Sequence, residues 1–435
     1  MISRISRLYE KQKGGFLFLG IVSNACAVLS MGISYLFNIL MARSLSLSDF
    51  GLLGVAIAYY TILIIPTGSL STILTREFSK LQKAGKQQEI AFLARKYAKK
   101  ALLYSGLVTL LVITAALALS KPEVAIIVFL VPIGYAAIPL NSILQSSERI
   151  VALSILGLAG AVLKLVFGLA VVALGFGLFG AAGAISTSGL LIIATTYLIL
   201  KDSLSKTARF KLGLRKALSL TTAILVIQGL FLYADLFAVQ NFLGNGQTGL
   251  YNVAETTAKI TYFLTGAVIL VLLPKMAKLD FTKDKRKIAM LLLGGTAFLL
   301  PPALVLIGFP REIVLFFYGD KFSQAIPAFQ ALAAGFLIYS IFNIVQYGLL
   351  AKGKERDVLA INAAGLGLHC FLLSYFVPLQ GLTGAGIAVI ISSTALLAAS
   401  IVALVGYTRK KSTKRPFILV HTIRKKGIKL IYQNS

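Results

Sequence analysis

Four ionisable side chains stand inside long apolar stretches of this chain: Lys164, Asp235, Glu255 and Lys259. At mid-bilayer such a group costs roughly 2.5–3.5 kcal/mol on insertion scales, so it faces protein or water and marks a place where chemistry can occur. Lys164 lies near mid-depth, where snorkelling to an interface is difficult. It shares a helix with a small-residue face of Ser154, Gly157, Ala161 and Gly168, so it reads as a cavity cation or as part of a packing seam. Asn252, Glu255, Lys259 and Tyr262 follow at spacings of three, four and three, which predicts one polar stripe on one helix face. Glu255 and Lys259 suit an ion pair, either a self-neutralised helix contact or a cavity lining. Gln228 and Asp235 are seven apart and share a face. Asp235 has no partner in its own helix and is expected to pair with Lys164 or Lys259, or to line water.

These groups need a membrane bundle to position them. The chain has 435 residues, 57% hydrophobic and 13% charged, with a mean hydropathy of +0.86. A soluble domain of that size could not hide so much apolar surface, so lipid is its solvent. Stretches of about 20 apolar residues fall at 15–42, 51–75, 98–120, 123–147, 150–174, 179–200, 217–243, 249–274, 288–309, 324–351, 357–378 and 382–407. Of the 43 Lys and Arg residues, 37 lie at the termini or in the even-numbered gaps. Only Arg43, Lys121, Arg311 and Lys321 occupy the odd ones. Cytoplasmic loops retain cations, so both termini are expected in the cytoplasm and the protein in the cell (inner, cytoplasmic) membrane. The net charge of +28 flanks spans instead of forming one basic domain. An anionic inner leaflet is therefore its expected counter-charge, and nucleic acid is not an expected partner.

The chain also repeats itself. Gly177-Leu178-Phe179-Gly180-Ala181-Ala182 matches Gly381-Leu382-Thr383-Gly384-Ala385-Gly386, Glu148-Arg149 matches Glu355-Arg356, and Phe50-Gly51-Leu52 matches Thr248-Gly249-Leu250. The offsets are all near half the chain. The expected organisation is a basic N-terminus (1–14), a first lobe (15–200), a linker (201–216), a second lobe (217–407) and a basic tail (408–435), either an interfacial helix or without fixed structure. Six spans per lobe place both lobes in the same orientation around an axis along the membrane normal, with a central cavity between them.

Several chemistries lack their residues. Gly85-Lys86 and Gly353-Lys354 are each followed by the wrong residue for a phosphate-binding loop, so ATP hydrolysis is not expected. No zincin spacing and no voltage-sensor arginine ladder occurs. A membrane glycosyltransferase normally shows acidic groups in sizeable external loops, whereas the longest odd gap here, around 310–323, reads as a turn with an interfacial helix. Cys26 and Cys370 lie in apolar stretches and make no disulfide framework or metal set. Pro132, Pro139, Pro301 and Pro302 read as kinks, either beside a cavity or simply in packing. Asn343 and Gln346 read as inter-helix hydrogen-bonding groups, and His369 as a bonded interior residue. Neither an enzyme activity nor a cofactor is expected; a coupling ion, H+ or Na+, is left open.

Asn38-Ile39-Leu40-Met41-Ala42-Arg43-Ser44-Leu45 followed by Asp49-Phe50-Gly51-Leu52 resembles the start of the polysaccharide-biosynthesis flippases of the multidrug/oligosaccharidyl-lipid/polysaccharide (MOP) exporter superfamily. Asp235, Phe242-Leu243-Gly244, Gly249-Leu250-Tyr251 and Leu273-Pro274-Lys275 resemble that family's seventh and eighth spans. Phe317-Tyr318-Gly319, Ala325, Pro327-Ala328 and Gly381-Leu382-Thr383-Gly384-Ala385 resemble its later half. The resemblance implies an all-α integral membrane fold of twelve helices in two pseudo-symmetric six-helix lobes, V-shaped as in MATE transporters. It also implies translocation of an oligosaccharide linked to a polyprenyl (undecaprenyl or dolichyl) phosphate or pyrophosphate, and it marks Arg43 and Asp235 as family-like positions. Relatives that flip the peptidoglycan precursor usually have fourteen spans and several cavity arginines, which this chain departs from.

Together these readings give an expected flippase, with glycosyltransferases or a polymerase as expected partners. Lys164 and Lys259 would attract the phosphate, an anion otherwise stranded in low dielectric. Glu255 and Asp235 would temper Lys259 or carry the coupling ion; Asn252, Gln228 and Arg43 complete the expected cavity site. The alternatives are an ion-coupled multidrug or organic-cation antiporter, which would need an acid-dominated cavity, and a non-transporting scaffold.

Overall fold

The computed structural model describes residues 16–118, 130–205, 220–280 and 282–409. The N-terminus 1–14, most of the linker 201–216, the start of the expected fourth span and nearly all of the tail 408–435 lie outside these residues, and the expectations placed on them stay as such. Every element among the described residues is helical. In chain order they are α1 (Phe16–Ser44), α2 (Leu47–Lys83), α3 (Gln87–Ala118), α4 (Leu130–Ser146), α5 (Ile150–Ala173), α6 (Gly177–Ser205), α7 (Leu220–Ala258), α8 (Ile260–Lys278), α9 (Lys285–Gly308), α10 (Pro310–Tyr318), a 3-10 turn (Asp320–Ala325), α11 (Ile326–Leu350) and α12 (Glu355–Arg409).

Nine segments of the described residues are long and apolar enough to cross a bilayer, and the protein is a multi-pass membrane protein. Twelve spans were expected. Part of the difference lies in two very long segments, Leu220–Lys278 with 59 residues and Glu355–Tyr407 with 53. At 1.5 Å rise per residue each would extend far beyond a hydrocarbon core of about 30 Å, so each must turn back. It does so at a glycine. Gly244 (φ 82°, ψ 175°) breaks α7 and Gly381 (φ 62°, ψ −137°) breaks α12, backbone regions that a side chain all but forbids. Both breaks fall where the sequence spacing places short external gaps. The expected fourth span is represented by α4, whose 17 residues start only at Leu130.

The helices before residue 205 pack with one another, as do those after 220. Within the first bundle, α1 packs on α5, α5 on α6, and α4 on α2, α3 and α6; within the second, α11 packs on α12, α7, α8 and α9. The repeat is visible in the backbone: Gly177 and Gly381, matched in sequence, both take positive φ.

Two very different seams join the bundles. Along one, α2 runs antiparallel to α7 over its membrane length. Ser69 meets the Thr222 hydroxyl at 2.7 Å, Ile65 abuts Gly229, Tyr59 lies 4.5 Å from the Phe237 ring, and Gly51 meets Gly249. Along the other, α1 reaches the second bundle only near the end carrying the 44–47 turn, which the cation count predicts to face outside and which is called the outer end below. There the Tyr35, Thr257 and Tyr318 hydroxyls close a triangle at 2.9–3.0 Å. Before Tyr35, α1 makes no hydrogen bond, ion pair or ring contact to the second bundle among the described residues; α8 makes none to the first.

Candidate functional site

The cation of the second bundle sits where α7 meets α8. Lys259 joins Ala258 to Ile260 with helical backbone angles, its amide bonded to the Glu255 carbonyl and its carbonyl to the Phe263 amide at 3.0 Å each. Its ammonium donates to Glu255 Oε1 and to the Leu232 carbonyl and lies 4.0 Å from the Tyr233 ring centroid and 5.5 Å from that of Phe336. The i,i+4 pair expected from spacing is therefore formed. Asp235 lies one turn from the Leu232 carbonyl that Lys259 holds: its Oδ2 accepts from the Tyr251 hydroxyl at 2.7 Å and its Oδ1 from the Leu236 amide at 2.9 Å. Asp235, Glu255 and Lys259 are 1%, 2% and 3% exposed, so the cluster is sealed inside the second bundle. Such a cluster holds together only because each charge has a partner; an unpaired ion there would be driven out.

The single polar stripe expected along Asn252, Glu255, Lys259 and Tyr262 is divided. Asn252 turns away from the cluster and donates to the Phe50 carbonyl of the opposite bundle at 3.2 Å. Glu255 and Lys259 face their own bundle. Tyr262 faces that bundle as well and packs on Tyr339 at 5.6 Å between ring centroids. One helix thus carries ion chemistry on one face and the inter-bundle seam on another.

Gln228 belongs to a separate amide network. Its Nε2 donates to Asn343 Oδ1 at 3.2 Å, Gln346 Nε2 donates to the same oxygen at 2.8 Å, and Asn362 Nδ2 donates to Gln346 Oε1 at 2.8 Å. These bonds tie α7, α11 and α12 together. His369 is fully buried, with Nδ1 2.9 Å from the Ser392 hydroxyl and its ring stacked on Phe231 at 4.3 Å.

The remaining two site residues lie in the first bundle. Arg43, exposed at the end of α1, donates through Nε to the Phe317 carbonyl at 2.8 Å and through Nη2 to that of Phe316. Those carbonyls end α10, where the helix dipole favours a cation. Lys321 returns the contact, donating to the Arg43 and Leu45 carbonyls at 3.0 Å each. The pair clamps the outer end. Lys164 donates to Ser34 Oγ at 3.0 Å and lies 5.0 Å from the Phe37 ring. Among the described residues no carboxylate pairs with it. The structure thus gathers Asp235, Glu255 and Lys259, places Asn252 on the reverse face of their helix, and keeps Gln228, Arg43 and Lys164 in three other environments.

Sequence reasoning did not single out Tyr35, Thr257 or Tyr318 for the outer closure, or Asn362 for the amide network. A hydroxyl inside an apolar helix carries no spacing signal of its own. No group of three or more His, Cys, Asp or Glu residues capable of holding a metal occurs among the described residues.

Residues 20–280, more than half of the chain, match the family model described as polysaccharide biosynthesis protein. The fold resembles an inward-facing multidrug resistance MATE family transporter of the MOP superfamily (14% identity, 88% of this chain and 97% of that one, TM-score 0.69). It also resembles the lipid II flippase MurJ in an inward closed conformation (12% identity, 89% and 90%, TM-score 0.67). A MOP superfamily transporter from Pyrococcus furiosus is a further structural neighbour (16% identity, 89% and 94%, TM-score 0.58). At these identities the likeness establishes a shared fold. No curated protein matches the chain closely enough to support an inference.

Proposed function

Given that the chain belongs to the polysaccharide biosynthesis protein family, we propose that it flips an oligosaccharide linked to a polyprenyl or dolichyl (pyro)phosphate from the inner to the outer leaflet. The observation that carries this reading is the inequality of the two seams. A molecule with a sugar head and an isoprenoid tail needs a pathway open sideways to lipid, because the tail cannot cross a polar cleft. The α2–α7 seam is occupied from Ser69 to Gly51, whereas α1 and α8 run from the Tyr35–Thr257–Tyr318 vertex without polar or ring contacts between bundles. Both helices carry exposed apolar side chains along this length: Val28 and Met31 are each 68% exposed on α1, and Leu270 is 78% exposed on α8. An isoprenoid chain can lie between such walls while the head occupies the space between bundles.

Lys164 supports the reading from the other side. It is an intramembrane cation with a hydroxyl and a ring for neighbours and, among the described residues, no acid, so its charge is available to a phosphate. Lys259 is already met by Glu255 and a carbonyl, so in this state it balances its own cluster. An organic-cation antiporter would place an unpaired acid where Lys164 stands.

The test is made in cells lacking the protein, by measuring surface glycan against lipid-linked precursor held on the inner face. Loss of the protein is expected to lower the first and raise the second, with both restored by the intact chain. An unchanged ratio would contradict the proposal.

A further inference from the structure

Asp235 and Glu255 share one sealed site with one cation. Glu255 pairs with the Lys259 ammonium, which also holds the Leu232 carbonyl one turn before Asp235. Charge balance demands a proton there, because two carboxylates against the single ammonium of Lys259 leave a net negative charge in a low-dielectric interior.

The surroundings do not supply that charge. Tyr233 and Tyr251 from α7 meet the cluster directly; around them stand Tyr262 from α8, Tyr339 and Tyr347 from α11 and His369 from α12. The phenols are neutral at cellular pH. A charged His369 would repel Lys259, and its arrangement against Ser392 and Phe231 is that of a neutral ring. A metal ion finds no third carboxylate among the described residues, and Lys259 already occupies the place beside Glu255.

We infer that Asp235 and Glu255 bind a single proton between them, and that its release is tied to separation of the two bundles. Both Asp235 oxygens already accept bonds, from Tyr251 and Leu236, which favour its ionised form, so the proton resides on Glu255. Releasing it to water leaves the cluster with one net negative charge, a state that requires hydration. Water reaches the cluster only if the helix bearing it moves. That helix, residues 245–258, carries the seam on its other side: Gly249 against Leu47, Asn252 on the Phe50 carbonyl, and Thr257 on Tyr35. The proton-bound form is the closed form seen here, and proton loss favours an open outer end. The proton site stands without the flippase reading; only its use in driving translocation rests on that reading.

Two measurements on the full chain in lipid nanodiscs test this. Infrared spectra near neutral pH are expected to show the carbonyl stretch of a protonated carboxylic acid that shifts in heavy water. The band is expected to disappear in Glu255→Gln and in Asp235→Asn, where Glu255 is left to ionise beside Lys259, and to persist in His369→Gln. Its absence from the unmodified protein, or its survival in Glu255→Gln, would overturn the proton site. Separately, spin labels at Ser44→Cys and Gln247→Cys, in a Cys26→Ala, Cys370→Ala background, report the outer end. Raising the pH is expected to lengthen the label distance in the parent and not in Glu255→Gln. A distance that responds to sodium and not to pH would overturn the coupling while leaving the flippase assay unaffected.

Discussion

Gly51 and Gly249, equivalent positions in the two copies of the internal repeat, meet back to back across the seam between the bundles. A Cβ on Gly51 would lie 2.6 Å from the Gly249 nitrogen, and one on Gly249 would lie 1.9 Å from the Leu47 carbonyl oxygen. The duplicated motif is thus the axis on which its own two copies touch. Small residues let membrane helices approach backbone to backbone, which is where packing energy comes from when lipid offers no hydrophobic drive.

Gly249→Val therefore forces the outer end apart. The expected result is a destabilisation of about 1–3 kcal/mol from overpacking against rigid backbone, seen as a lower unfolding temperature in detergent, with loss of flipping. Gly246→Val, at a position whose Cβ would meet nothing within 4 Å, serves as the control and is expected to change neither.

Lys259→Met removes the one cation from a sealed cluster. Breaking a buried pair costs on the order of 3–5 kcal/mol because the remaining ion is uncompensated. The double variant Lys259→Met, Asp235→Asn removes the ammonium together with the ionised carboxylate and is expected to recover most of that loss. Thermal unfolding of the two proteins side by side checks the order; equal stability would mean that the cluster is hydrated.

The amide network gives a milder effect. Asn343→Leu leaves Gln228 and Gln346 without the oxygen they share. An unsatisfied buried group costs about 1–3 kcal/mol, so denaturation is expected to shift by that amount with the seam unaffected.

Arg43 and Lys321 clamp the outer end through backbone carbonyls, so their loss is expected to bias the protein toward opening there. In a Cys26→Ala, Cys370→Ala background, Thr248→Cys reports on a fully buried seam position. Labelling by a membrane-impermeant maleimide is expected to rise several-fold when Arg43→Ala and Lys321→Ala are combined. Unchanged labelling would show that the glycine contact alone holds the closure.

The membrane class, the two glycine breaks and the Glu255–Lys259 pair were legible in the sequence because each is local. Hydropathy runs over one span, Gly244 and Gly381 interrupt one chain segment, and an i,i+4 pair needs only one helix. Asp235 was harder. Its polar character was plain, but Tyr251 reaches it only because the chain folds back at Gly244. The divided stripe was not legible, because Asn252 is drawn off it by the Phe50 carbonyl, which comes from a distant segment. The hydroxyl triangle of Tyr35, Thr257 and Tyr318 joins three distant segments, and no spacing rule connects them.

The most direct test of the account is flipping by Lys164 variants in proteoliposomes carrying a fluorescent polyprenyl-pyrophosphate-linked oligosaccharide, read by quenching from outside. Lys164→Arg keeps the charge and is expected to retain most of the rate. Lys164→Ala is expected to lose about tenfold, which corresponds to about 1.4 kcal/mol of phosphate stabilisation. Equal rates for all three proteins, or no rate above empty vesicles for the unmodified chain, would contradict it.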